Sequence, residues 1–104
     1  MEIRVHTDNH ITGSEHFSEK YSEELNKKLH RFTEYLTGAD IYFVDENKAK
    51  ASINDKKCTI EIKIKNKPPE AVSHNADTIS LAFIGAIDKM KHLLDSRIGK
   101  LNNR

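Results

Sequence analysis

Residues 58–65 alternate strictly between apolar and polar side chains, and this alternation constrains the fold more than any other feature of the chain. The apolar positions are Cys58, Ile60, Ile62 and Ile64, and the polar positions between them are Thr59, Glu61, Lys63 and Lys65. A side-chain period of two places each set on its own face of a strand. The pattern predicts a strand in a sheet with one buried face and one face open to solvent.

Two longer segments show helical periodicity instead. The stripe of the first recurs every three or four residues: Phe17, Tyr21, Leu25, Leu29, Phe32 and Leu36. Ser14 is expected to cap its start, and Thr37-Gly38 to end it with the glycine in the left-handed conformation. The second helix is predicted from Thr78 toward Lys100, with Thr78 or Asp77 as its cap. Its stripe consists of Ile79, Ala82, Phe83, Ala86, Ile87, Met90 and Leu94, with Ile98 and Leu101 as possible extensions.

Shorter patterns predict three further strands and complete the fold. Residues 2–7 alternate, residues 41–44 are apolar on both faces and suit an interior strand, and residues 70–74 suit an edge strand. The Asn66-Lys67-Pro68-Pro69 break separates the last two strands. The order β-α-β-β-β-α predicts an α+β two-layer sandwich, with a four-stranded sheet and both helices on one face. A chain of 104 residues is long enough for one core, so a single domain over residues 1–104 is expected.

Gly85 interrupts the apolar stripe of the second helix. Glycine inside a helix costs roughly 1 kcal/mol relative to alanine. We therefore expect the helix to approach the sheet or the first helix closely at this point.

Charge is balanced overall but distributed unevenly along the chain. The formal net charge is +1, which argues against a uniform polyanion binder. Residues 48–67 nevertheless hold seven lysines against two acidic residues, and residues 88–104 hold five basic residues against two acidic ones. The segment 27–31 adds Lys27, Lys28 and Arg31 without an acid. No apolar run is long enough for a membrane span and one cysteine forms no internal disulfide, so a cytoplasmic protein is expected.

Patterns typical of catalysis and metal binding are absent. The chain contains no phosphate-binding loop, dinucleotide fingerprint or nucleophile elbow. His6, His10 and His16 crowd around Asp8, but their spacing matches no zinc signature. Cys58 falls on the apolar face of its strand, which favours a buried reduced thiol over a nucleophile. No enzyme activity, cofactor, metal site or small-molecule substrate is predicted.

A binding surface is the remaining possibility. The predicted topology allows the Lys27–Arg31 segment and the helix from Lys89 to Lys100 to lie side by side on one exposed ridge. Lysine and arginine gain affinity for nucleic acid by neutralising phosphates, without reading sequence. Structured RNA, which is recognised largely through its shape, phosphates and 2′-hydroxyls, suits such a surface.

Over nearly its whole length the chain resembles the ribosome hibernation-promoting factors, also called ribosome-associated inhibitor A or Y-type proteins, of the sigma-54 modulation protein family. Three stretches carry the resemblance: Ile3-Arg4-Val5 with the later Lys28-Leu29-His30-Arg31-Phe32, the strand Ile41-Tyr42-Phe43-Val44, and the helix Ile79-Ser80-Leu81-Ala82-Phe83-Ile84-Gly85-Ala86-Ile87-Asp88-Lys89-Met90. The helix end is poorer in lysine and arginine than is usual in the family. The chain is therefore similar to a divergent member, and without the C-terminal extension of the long members it resembles the short type.

The resemblance implies a fold like that of double-stranded-RNA-binding domains and a position in the decoding region of the small ribosomal subunit. There it would inhibit translation by steric occlusion in stressed or stationary cells. The rRNA-binding positions it implies are Lys27, Lys28, Arg31, Lys89, Lys91, His92, Arg97 and Lys100. The partner is then the small ribosomal subunit with its 16S-type rRNA, and a homodimer is possible. The alternative is a protein-interaction or self-associating module on the same fold, which has lost ribosome binding.

Overall fold

The computed structural model describes residues 1–8, 11, 13–46 and 55–99, and within them the predicted β-α-β-β-β-α order is confirmed. The strands are β1 (Glu2–Thr7), β2 (Leu36–Asp45), β3 (Lys56–Ile64) and β4 (Glu70–Ala76), and the helices are α1 (Glu15–Lys28) and α2 (Ile79–Leu94). A 3₁₀ helix (His30–Tyr35) follows α1, and a π-helical turn (Asp95–Gly99) follows α2.

The four strands form one mixed sheet in the order β1-β2-β3-β4. β1 pairs with β2 in parallel, since α1 carries the chain back between them, and the other two pairings are antiparallel. β2 is therefore an interior strand and β4 an edge strand, as predicted. The register places Ile41 opposite both Val5 and Ile60. This alignment keeps the apolar sets of three strands on one face.

Both helices cover the same face of the sheet, which confirms the predicted two-layer fold. The alternation in β3 holds as expected: Cys58, Ile60 and Ile62 are fully buried. Phe43 in β2 packs against Phe17 and Tyr21 of α1 and against Phe83 of α2, with ring centroids 4.8 to 6.2 Å apart. The core thus joins each helix to the central strand.

The end of the first helix was predicted wrongly. α1 stops at Lys28, and the chain continues through the 3₁₀ helix directly into β2, which begins at Leu36. Phe32 and Leu36 are buried as expected, but one is held by the tighter 3₁₀ turn and the other by the strand. Gly38 lies in β2 and does not adopt a positive φ. Apolar spacings of three and four residues do not distinguish a continued α-helix from a 3₁₀ helix that leads into a strand, because a 3₁₀ helix also buries every third residue.

The helix starts were predicted correctly. The Ser14 hydroxyl accepts a hydrogen bond from the Phe17 amide at 3.0 Å, and the Thr78 hydroxyl accepts one from the Leu81 amide at 3.1 Å. α2 ends at Leu94, earlier than predicted, and the π-helical turn still buries Ile98. Leu101 and Lys100 lie outside the described residues.

Gly85 marks the predicted close approach, and the partner is the sheet. A Cβ at this position would overlap the imidazole ring of His74 on β4. The absence of a side chain lets α2 lie against that ring. The helix therefore runs close to the edge strand, which fixes the direction in which its outer face points.

Replacement of Gly85 by alanine should destabilise the fold, although alanine is the better helix former. We expect the overlap with His74 to cost about 1–3 kcal/mol of unfolding free energy, as overpacking does. In a His74→Ala background the space is free, and the same replacement should stabilise by up to ~1 kcal/mol. Urea unfolding of the four proteins measures both effects. The same sign in both backgrounds would contradict the close approach.

Cys58 is the buried reduced thiol that its strand position predicts. The side chain is fully buried, and desolvation raises the pKa of the thiol to about 12. The thiolate, which is the reactive form, is therefore suppressed in the folded protein.

The raised pKa of Cys58 predicts a loss of stability at alkaline pH. Above the pKa of an unfolded cysteine, roughly 8.5, the unfolded chain releases the thiol proton while the folded chain keeps it. The unfolding free energy then falls with rising pH, by up to about 1.4 kcal/mol per unit, until the folded thiol also ionises. Denaturant unfolding from about pH 9 to about pH 11 should show this excess slope in the native protein and not in Cys58→Ala. Parallel pH profiles for the two proteins would contradict it.

Candidate nucleic-acid interface

A groove runs between α1 and α2 on the side of the helix layer that faces away from the sheet. Its cavity volume is about 230 Å³. The apolar lining consists of Tyr21, Phe83, Ile84 and Ile87, and the polar lining consists of Lys20, Glu24, Lys28, Ser80, Asp88 and Lys91. This set is called the interhelical groove below.

Helical periodicity explains which residues reach the interhelical groove. Lys20, Glu24 and Lys28 follow one another at intervals of four and therefore share one face of α1. Across the groove, Tyr21 and Phe83 pack edge to face with centroids 4.8 Å apart. This contact closes the floor and sets the spacing of the two helices.

Three lysines border the interhelical groove, and they come from both helices. The Lys20 ammonium lies 5.3 Å from the centroid of the Tyr21 ring, a cation–π distance. Within the described part of the chain, no carboxylate lies within 4.0 Å of the Lys28 or Lys91 ammonium. These two ammonium groups are available to an external anion without the loss of an internal ion pair.

Arg31 lies at the end of the interhelical groove but is engaged within the protein. Its guanidinium forms an ion pair with Asp95 and stacks over the Phe32 ring at 4.6 Å. The side chains of Arg31 and Asp95 are 66% and 50% exposed, so the pair contributes little to stability. It links the 3₁₀ helix to the end of α2.

The prediction of a single ridge is wrong for Lys89 and Arg97. The Lys89 ammonium donates to the Ser73 carbonyl oxygen at 2.7 Å, and Arg97 Nε donates to Glu70 Oε2 at 2.9 Å. Both partners belong to β4, so these cations lie on the sheet side of α2 and away from α1. The reason is helical geometry, since Lys89 lies 200° around the helix axis from Lys91, at about 100° per residue.

Lys27 and His92 do not belong to the lining of the interhelical groove. Lys27 borders a shallow depression with Glu23, Asn26 and His30 on the outer side of α1. His92 is exposed, and its Nδ1 donates to the Asp88 carbonyl oxygen at 2.8 Å. Lys100 lies outside the described residues. The structure therefore brings Lys28 and Lys91 to one groove, places Arg31 at its end, and separates the others.

Sequence reasoning missed Lys20, Ser80 and Ile84 as members of this site. Lys20 was not grouped with the basic residues because it is the only lysine in an acidic stretch. Its spacing of eight residues from Lys28 nevertheless places both lysines on one helix face. The signal for Ile84 was that this apolar residue falls outside the core stripe of the helix, and in the structure it is 52% exposed.

The face of the sheet opposite the helices carries a second cluster of polar and aromatic groups. His6 Nε2 lies 2.8 Å from Asp40 Oδ1, and the His6 and Tyr42 rings stack with centroids 4.6 Å apart. The pKa of Tyr42 is raised, first by desolvation and then by the charges of Asp40 and Glu61. The Lys63 ammonium lies 3.9 Å from Asp40 Oδ2, so this face carries charges of both signs around its exposed aromatic ring.

The described residues contain no group of three or more histidine, cysteine or acidic side chains that could hold a metal ion. Of the predicted histidine group, His10 lies outside this part of the chain. No helix in the described ranges is long and apolar enough to cross a membrane.

Comparison with protein-family models matches residues 3–102 to the family described as sigma 54 modulation protein/S30EA ribosomal protein. Since the match spans nearly the whole chain, the protein belongs to this family. The resemblance drawn from the sequence is thereby confirmed. A search of curated proteins finds no match.

Solved structures share the fold at low sequence identity. The N-terminal domain of protein Y from Thermus thermophilus is 14% identical with a TM-score of 0.71, and the match covers 92% of this chain and 98% of that domain. A ribosomal subunit interface protein from Coxiella burnetii is 17% identical with a TM-score of 0.62, and both chains are covered completely. These likenesses confirm the α+β fold.

Proposed function

We propose that the protein binds the rRNA of the small ribosomal subunit in the decoding region and inhibits translation by steric occlusion, as a hibernation or stress factor. Membership of an S30EA ribosomal protein family supports the ribosome as the target. The observation that carries the choice of surface is the pair of ammonium groups on Lys28 and Lys91, which form no ion pair with the described residues and approach one groove from two helices.

The electrostatics of the interhelical groove fit a phosphate backbone. Each lysine that neutralises a phosphate releases counterions, and this release drives association without reading sequence. Arg31 extends the basic rim toward the end of α2 when it exchanges Asp95 for a phosphate. Lys27 and His92 are exposed residues of α1 and α2 that neighbour Lys28 and Lys91 in the sequence. We assign the main phosphate contacts to Lys28 and Lys91, with Arg31, Lys27 and His92 beside them.

Inhibition by occlusion requires a rigid domain, and it does not require a catalytic group. The helix layer is fixed to the sheet through Phe43, so a bound domain would fill space that messenger and transfer RNA need. Cys58 is not an activated nucleophile, since burial raises the pKa of its thiol to about 12. Membership of a ribosomal protein family supports a cytoplasmic factor that acts without catalysis.

A second candidate function is protein interaction through the open face of the sheet. The stacked His6–Tyr42 pair is its specific support, because Tyr42 is 37% exposed and exposed aromatic rings are enriched at protein interfaces. This surface would bind a protein partner or a second copy of the chain. Loss of a complex on Tyr42→Ala, with small-subunit binding unchanged or absent, would favour it.

Replacement of Lys28 and Lys91 by alanine should weaken binding to purified small subunits and flatten its salt dependence. Loss of two phosphate contacts should reduce the slope of log K against log salt by about 1.5–2. Co-sedimentation of the subunit with the protein at several salt concentrations measures both quantities.

The matched control replaces Lys65 and Lys67, two exposed lysines at the turn between β3 and β4, by alanine. It removes the same charge from two residues that do not line the interhelical groove and should leave the slope nearly unchanged. If both double variants lose the same affinity for small subunits, the loss comes from net charge alone and the proposed surface is wrong.

Replacement of Asp95 by asparagine should tighten small-subunit binding. The change releases Arg31 from its ion pair, and an exposed pair is worth up to about 1 kcal/mol, which corresponds to a roughly fivefold change in affinity. Glu34→Gln alters the net charge equally, on the 3₁₀ helix that carries Arg31, without breaking that pair. If both variants bind with the same affinity, Arg31 is not part of the interface.

A further inference from the structure

We propose that the interhelical groove receives one unstacked nucleobase from a single-stranded stretch of RNA. This inference rests on the proposed function, since it specifies how the same surface would bind rRNA. A surface that only neutralises phosphates needs exposed cations and nothing else. The interhelical groove combines its lysines with a concave apolar lining, which a sugar-phosphate backbone does not use.

The size of the groove fits a single ring system. Pockets for drug-sized ligands occupy about 300–1,000 Å³, whereas this cavity is about 230 Å³. A base pair is too large, and a duplex keeps its bases stacked inside. Proteins that recognise RNA sequence or loops instead bind bases that have left the stack.

The lining offers a matching chemical surface for a nucleobase. Ile84, 52% exposed, provides an apolar wall at the rim, and the edges of Tyr21 and Phe83 form the floor. Glu24 and Asp88 also line the groove, where their carboxylates would accept hydrogen bonds from the amino group of a base.

The charges around the groove set the position of the rest of the nucleotide. Lys20 and Lys28 border one side and Lys91 the other, so phosphates on either side of the inserted base would meet a cation. Three lysines against two carboxylates leave the groove electropositive. This complementarity selects an anionic polymer with exposed bases over an uncharged apolar side chain.

The test compares two matched changes on α2. Ile84→Ser removes the apolar wall, whereas Leu81→Ser alters an equally exposed side chain, also 52%, that does not line the groove. Neither change alters charge, and far-UV circular dichroism with thermal unfolding verifies that both variants fold. Because Ile84 would bury its exposed apolar surface against the base, Ile84→Ser should weaken small-subunit binding by roughly fivefold or more, and Leu81→Ser should not.

A second probe identifies the occupant. Fluorescence anisotropy compares a single-stranded RNA heptamer with the same strand carrying abasic sugars at its three central positions. The native protein should prefer the intact strand, and Ile84→Ser should bind both strands alike. If Ile84→Ser weakens subunit binding while the abasic strand binds as tightly as the intact one, a protein side chain fills the groove and the proposal is wrong.

The proposal and the function on which it rests fail differently. Unchanged binding by Ile84→Ser together with a loss in the Lys28 and Lys91 variant would overturn the base site and leave the function intact. No binding of the native protein to small subunits would overturn the function itself.

Discussion

The packing of Phe43 against both helices is the contact on which the rest of the structure depends. This residue lies on the interior strand β2, and its ring meets Tyr21 of α1 and Phe83 of α2. Aromatic pairs in offset or edge-to-face geometry add about 0.5–1.5 kcal/mol each beyond their buried area. The Tyr21–Phe83 contact then sets the separation of the helices and therefore the width of the interhelical groove. Stability and the candidate site thus share the same three rings.

Arginine and lysine have different tasks on this helix layer. Arg31 and Arg97 pair with Asp95 and Glu70, contacts that join the ends of helices to neighbouring elements. The planar guanidinium suits such fixed geometry with a carboxylate. Lys28 and Lys91 are bound by no carboxylate of the described residues. A chain with a net charge of only +1 can therefore still present a local cationic site.

Periodicity predicted the fold well because each signal was local. The alternation in β3, the caps at Ser14 and Thr78, and the need for close approach at Gly85 are all confirmed. The site was predicted less well because contacts with residues distant in sequence decide which cations face the groove. Arg97 bonds a residue 27 positions away, and no local pattern contains that information. Similarly, the end of α1 depended on how Leu36 pairs in the sheet.

The position of Lys89 shows why charge density along a helix is a poor guide to its binding face. Lys89 and Lys91 are two residues apart and have the same chemistry, yet one caps a carbonyl at the edge of β4 and the other borders the interhelical groove. Because the Lys89 ammonium satisfies the Ser73 carbonyl, it also blocks part of the sheet edge against pairing with another strand. One face of α2 therefore covers part of the edge of β4, and another face lines the interhelical groove. The close packing at Gly85 fixes the rotation of α2. This rotation determines that Lys89 contacts the edge of β4 and that Lys91 borders the interhelical groove.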